Sequence, residues 1–177
     1  MFVGSSDNLW IEGYWTVKEL FRAPIWREFK SEQGAIEMLS HATVTHVFPL
    51  SAVDLWNRIG DFYDTGKWSG RPPEACVAEG DGIGGLRTLT VQDGRVVVDR
   101  LEALGDLYYS YSIVRSPLPV KFYRATMSVA PLTEDICTFT WSGVFEPQGI
   151  SEAEALAFFE GVYRSGIAMM NRTFGLR

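Results

Sequence analysis

The residues of this 177-residue chain whose types and spacing suggest chemistry lie in one hairpin. Leu86–Val91 and Val96–Leu104 alternate as two strands joined around Gln92-Asp93-Gly94-Arg95. A two-residue Asp93-Gly94 turn sets Arg87 opposite Arg100, and directly opposed like charges are unfavourable. That register also mixes polar and apolar residues on both faces. A three-residue loop, Gln92-Asp93-Gly94, with the glycine in the left-handed position of a G1 bulge, sets Arg87 opposite Asp99. One face then carries Arg87, Leu89, Val91, Arg95, Val97, Asp99 and Leu101. The other carries Thr88, Thr90, Val96, Val98, Arg100 and Glu102, is more polar, and suits solvent. The three-residue loop is therefore favoured, and it puts a guanidinium beside a carboxylate among apolar neighbours. Such a pair is either a structural salt bridge or a polar anchor at the end of an apolar cavity, where a few placed polar groups orient a mainly apolar ligand. Stability alone explains it poorly, because buried pairs roughly break even against apolar replacements. If the chain is an enzyme, Asp99 is the candidate general acid/base and Arg87 the candidate stabiliser of enolate charge.

Other chemistries find little support. Gly80-Asp81-Gly82-Ile83-Gly84-Gly85 fits G-x-G-x-x-G, but a dinucleotide site needs a helix after it. A strand pattern, Leu86–Val91, follows instead, so the glycines read as a flexible turn. There is no P-loop, G-x-S-x-G or H-E-x-x-H sequence. Asn171-Arg172-Thr173 fits a glycosylation sequon, but it lies on an expected helix, and the N-terminus lacks the features of a secretory signal. Cys76 and Cys137 form no C-x-x-C or Cys/His cluster, which excludes a disulfide scaffold and the common zinc sites and fits free thiols in a reducing cytoplasm. With two histidines, His41 and His46, a His-rich metal site is not expected, and no cofactor is implied. The formal charge of −6, from 22 acids against 16 bases, argues against general nucleic-acid binding. No stretch approaches the ~20 unbroken apolar residues of a membrane helix.

The elements that position the hairpin follow from patterning. Residues 1–40 form an extension rich in aromatics (Trp10, Tyr14, Trp15, Phe21, Trp26, Phe29), with short helices expected at Thr16–Arg22 and Pro24–Glu32. So apolar a segment packs on the main domain or contacts another chain, and a homodimer through residues 1–40 is one such arrangement. Thr43–Phe48 reads as a strand, and Ser51 caps a helix with Leu50, Val53, Trp56 and Ile59 at helical spacing. A second helical turn is expected at Phe62–Thr65, then a strand at Glu74–Glu79, the hairpin, and strands at Leu107–Arg115, Phe122–Pro131 and Ile136–Glu146. Ser151 caps a long helix to about Thr173, with Glu152 and Glu154 in its first turn. Runs of strands with tight turns argue an antiparallel sheet, and only the last helix is long enough to cover its apolar face. The expected fold is α+β: seven antiparallel strands curved around a long C-terminal helix, with two short helices after strand 1. On that helix Phe158, Val162, Gly166 and Met170 share a stripe, with Phe159 and Tyr163 alongside. Gly161 and Gly166 each cost about 1 kcal/mol against alanine, so they either admit a close neighbour or leave space.

Six segments carry a family resemblance: DLWNRIGDFYDTGKW, GDGIGGLRTLTVQDG, DRLEAL, YSYSIVRSPLPVKFYRATMSV, TFTWSGVFEPQG and GVYRSGI. Together they resemble the polyketide cyclase/dehydrase branch of the SRPBCC superfamily, with the helix-grip fold of START lipid-binding domains and the plant abscisic-acid receptors. The resemblance spans about residues 41–175, and it implies a domain over 41–177 with a cavity between the sheet and the long helix. It implies a small hydrophobic ligand, held by Arg87 and Asp99 at the polar end, Tyr111 and Ile113 as apolar contacts, and Tyr123 as a polar one. Thr140 matches a further pocket position, with Trp141 taking its place if the register is one residue off. Phe158, Val162 and Gly166 match ligand-facing helix positions. Ser69 stands where the hormone receptors carry their carboxylate-pairing lysine, and their gate and latch are reduced to Gln92–Arg95 and Ser116–Pro119, so a hormone-receptor role is not supported. The branch includes lipid carriers and aromatase/cyclases. The expectations are therefore ligand binding, a cyclase/dehydratase using the same cavity, or an interaction domain whose cavity is filled by its own side chains.

Overall fold

The structure, a computed structural model, describes residues 39–91 and 94–176. The chain divides into two units, Met1–Glu37 and Met38–Arg177, and all the described elements belong to the second. The helices expected at Thr16–Arg22 and Pro24–Glu32 lie outside the described residues.

Seven strands form one antiparallel sheet: β1 (Ser40–Phe48), β2 (Cys76–Glu79), β3 (Leu86–Thr90), β4 (Val96–Gly105), β5 (Tyr108–Arg115), β6 (Val120–Pro131) and β7 (Cys137–Pro147). Their order is β1-β7-β6-β5-β4-β3-β2, so each strand pairs with its sequence neighbour except β1, which returns to pair with the last. Helices α1 (Ala52–Ile59) and α2 (Gly66–Ser69) follow β1, and α3 (Glu152–Phe174) ends the domain. The sheet is curved, and the architecture is a helix-grip fold.

The caps are as the sequence indicates. The Ser51 hydroxyl accepts the Asp54 N–H at 3.0 Å. At α3, Ser151 and Glu154 form a reciprocal capping box. Two local expectations are corrected. The second short helix begins at Gly66, not Phe62, because Phe62 and Tyr63 form a turn tied by the Asp61 carboxylate accepting the Tyr63 N–H. On α1 the inward stripe is Ala52, Leu55 and Ile59, while Val53 is exposed.

Strand alternation decides what faces the helix. From β6 come Tyr123, Ala125, Met127 and Val129, and from β7 come Cys137, Phe139, Trp141 and Phe145. They meet Ala155, Phe159, Tyr163, Ile167 and Met170 of α3, together with Phe48, Leu55 and Ile59. Each large side chain buried here contributes about 1.5–3 kcal/mol. The buried face of α3 is Ala155, Phe159, Tyr163, Gly166, Ile167 and Met170; of the expected stripe 158/162/166/170, Gly166 and Met170 are buried, whereas Phe158 and Val162 lie on the flank, about 40% exposed.

The β3–β4 register pairs Arg87 with Asp99, as the three-residue loop requires. Gly94 has φ +77° and the Val91 N–H bonds the Arg95 carbonyl at 2.8 Å, the closure of a G1 bulge. Val98, placed by patterning on the solvent face, is buried. On that same outer face Glu102 accepts from Arg100 at 2.8 Å, from Arg124 at 3.1 Å and from the Ser112 hydroxyl.

Candidate functional site

A cavity of about 290 Å³ lies between the inner face of β3–β7, the α2 region and the flank of α3. Its size is at the lower end of the range for small-molecule sites, about 300–1,000 Å³. Strand β4 and the residue before it show its direction. Arg95 is exposed, Val97 half-buried, Asp99 2% exposed and Leu101 1% exposed. At about 3.4 Å per residue, Arg95 and Asp99 lie about 14 Å apart along the wall. The cavity therefore opens near the hairpin tip, beside Phe158 and Val162, and closes on Arg87 and Asp99.

Arg87 is 3% exposed. Its Nε donates to Asp99 Oδ2 at 2.9 Å and its Nη1 donates to the Phe62 carbonyl at 3.0 Å. The guanidinium sits 4.2 Å from the Phe62 ring centroid and 4.8 Å from that of Tyr111. Stacked between aromatic faces and paired with a carboxylate, it remains a cation. Burial pushes the Asp99 carboxyl above the usual carboxylate range, and the Arg87 charge opposes that rise in part.

Aromatic side chains form the rest of the inner wall. The Trp141 indole N–H donates to the Tyr111 hydroxyl at 3.1 Å, and the Tyr123 and Tyr163 hydroxyls lie 2.8 Å apart. Burial holds the Tyr111 and Tyr123 phenols well above their ordinary pKa, so both are neutral at physiological pH. Trp141 stacks on Tyr163 at 4.9 Å and meets Trp68 edge-on at 6.1 Å. A Cβ at position 166 would lie 2.6 Å from the Trp141 ring, which is why α3 carries glycine there. The close neighbour is an indole, whereas Gly161 faces open space.

Eight of the residues nominated from sequence border this cavity: Arg87, Asp99, Tyr111, Ile113, Tyr123, Phe158, Val162 and Gly166. Thr140 does not. It points to the opposite face of β7 and hydrogen-bonds Thr45 of β1 at 3.2 Å, while Trp141 borders the cavity. The side-chain period of two along a strand makes a one-residue offset a change of face. Patterning alone missed Thr65, Trp68 and Arg71, which border the cavity from the segment around α2, and Leu118, from the loop before β6. That short helix has no periodicity to show its inward side. Among the described residues, three buried side-chain polar atoms lack a hydrogen-bond partner: Thr65 Oγ1, Trp68 Nε1 and Asp99 Oδ1. All three belong to residues of this cavity. The Gly80–Gly85 turn leads into β3, with no helix to receive a pyrophosphate, and no cluster among the described residues is arranged to hold a metal ion.

Comparison with known proteins agrees with this geometry. Residues 40–175 match the family model described as polyketide cyclase/dehydrase and lipid transport. The protein XoxI from Bacillus cereus is 31% identical in a structural match covering 76% of this chain and 95% of that one, with a TM-score of 0.68. The Zhui aromatase/cyclase from Streptomyces sp. R1128 is 16% identical, covering 78% of this chain and 93% of that one, with a TM-score of 0.58. A START superfamily protein from Mycobacterium smegmatis is 12% identical, covering 78% and 99%, with a TM-score of 0.63. At such identities the last two are likenesses of fold. No curated protein sequence matches the chain.

Proposed function

The chain belongs to the polyketide cyclase/dehydrase and lipid transport family, and from that premise we propose that it binds a small, mainly apolar or aromatic molecule, polyketide- or lipid-like, in the cavity between sheet and helix. The observation that carries this reading is the cavity itself: about 290 Å³, bordered by aromatic and aliphatic side chains and ended by one buried ion pair. This space supports ligand binding over an interior filled by the domain's own side chains. Arg87, Asp99 and Tyr123 face the ligand's polar end, and Tyr111, Ile113, Phe158 and Val162 face its apolar body. Calorimetric titration with naphthalene-sized aromatics tests the reading. Saturable one-to-one binding with a negative heat-capacity change is expected, since apolar area is removed from water. Absence of binding across such compounds contradicts it.

A second reading is cyclisation or dehydration of a bound polyketone, favoured by the raised pKa of the Asp99 carboxyl. In that chemistry the Asp99 carboxylate takes a proton from a carbon between two carbonyls. The freed electron pair forms the new C–C bond to a ketone carbon, and the carboxylic acid returns the proton to the resulting alkoxide. Arg87 offsets negative charge on the enolate. Turnover of a model polyketone that disappears in Asp99→Asn supports this reading. Binding without turnover leaves the chain a carrier.

A further inference from the structure

Resting on the reading that the cavity takes a small apolar molecule, we propose that this molecule carries a neutral hydroxyl, phenolic or alcoholic, at its buried end. The hydroxyl donates to Asp99 Oδ1 and accepts from the Trp68 indole N–H. Asp99 uses one oxygen of its carboxylate: Oδ2 takes the Arg87 Nε–H at 2.9 Å, and Oδ1 has no partner. Trp68, 5% exposed, leaves its N–H unpaired, while the neighbouring Trp141 places its own on Tyr111. Thr65, 3% exposed, adds an unpaired hydroxyl three residues before Trp68. The same segment begins with Phe62, whose carbonyl takes the Arg87 Nη1. Thr65 and Trp68 border the same cavity as Asp99, and Trp68 meets Trp141, whose own N–H reaches the Tyr111 beside Arg87.

A buried polar atom left without a partner keeps the full cost of its lost hydration, and the cost is greater when it is charged. None of the three is reached by solvent. A ligand pressing on the wall reaches them through small rotations of the side chains that carry them. The atom types then select the ligand group. A carboxylate sets negative charge and acceptor against Asp99. An ether or ketone supplies no donor. An ammonium meets the Arg87 guanidinium. A hydroxyl has one donor and two lone pairs, and so serves the carboxylate and the indole N–H together.

Calorimetric titration of the full chain with naphthalene, 2-naphthol, 2-methoxynaphthalene and 2-naphthoate tests this. 2-Naphthol is expected to bind at least about tenfold more tightly than the methyl ether or the carboxylate, the scale of one hydrogen bond to a charged group. In Trp68→Phe the ratio of 2-naphthol to naphthalene affinity contracts, because the indole N–H that the ligand oxygen takes is gone. Equal binding of 2-naphthol and its methyl ether, or tighter binding of 2-naphthoate, overturns the hydroxyl assignment and leaves the apolar-ligand reading standing. Failure of all four compounds to bind overturns both.

Discussion

At the residue scale the buried Arg87–Asp99 pair sets the problem, because its presence is poorly explained by stability. Removing one partner strands a charge in a low-dielectric interior, whereas removing both removes the cost. Urea unfolding of Arg87→Met and Asp99→Leu as single variants is expected to show losses of about 3–5 kcal/mol each. The double variant recovers most of that loss while losing ligand binding. A double variant as unstable as the sum of the singles shows a pair that holds the fold together. The outer face offers a control with ordinary carboxylate behaviour. Glu102 is held below its usual range: burial pushes it up, and Ser112, Arg100 and Arg124 more than offset that. A depressed folded-state pKa means stability that is present above the unfolded value and lost as pH falls through the folded one. Glu102→Gln therefore flattens the acid limb of the stability–pH curve below about pH 4.3. An unchanged acid limb contradicts the assignment.

At the element scale the hairpin was the most legible part of the chain, because charge opposition and one glycine in the left-handed region leave a single good register for Arg87 and Asp99. Strand alternation also explains the one misplaced residue. Thr140 and Trp141 are neighbours, and a match to a remote pattern does not resolve which of two adjacent side chains points inward. Helix α2 was the least legible, since four residues carry no period, and with it went Thr65 and Trp68. Along α3 the two mid-helix glycines looked alike in sequence and differ in space. Gly161→Ala is expected to stabilise the domain by about 1 kcal/mol through helix propensity. Gly166→Ala drives a methyl into the Trp141 ring and is expected to cost about 1–3 kcal/mol. Thermal unfolding of the two variants decides the point, and equal shifts for both contradict the close packing of Trp141 on α3.

At the scale of the whole molecule, the cavity is a space beside the filled core, bordered by the sheet, the segment around α2 and the flank of α3. The fold was readable because seven strands and one long helix admit few arrangements with every apolar face covered. The cavity's contents were not, since a sequence names the wall and not what fits inside. A molecule that binds only the folded chain raises its stability by mass action, about 2.7 kcal/mol at a hundredfold excess over Kd. Among the described residues no helix is long and apolar enough to cross a membrane. On the proposed reading a ligand enters beside the partly exposed Phe158 and Val162. Native mass spectrometry of the chain extracted from its own host, beside Val162→Trp prepared in the same way, decides whether the cavity holds a ligand. A discrete small-molecule adduct is expected on the unaltered protein and absent from the filled-mouth variant. A bare mass for the unaltered protein, or an adduct retained equally by both, contradicts it.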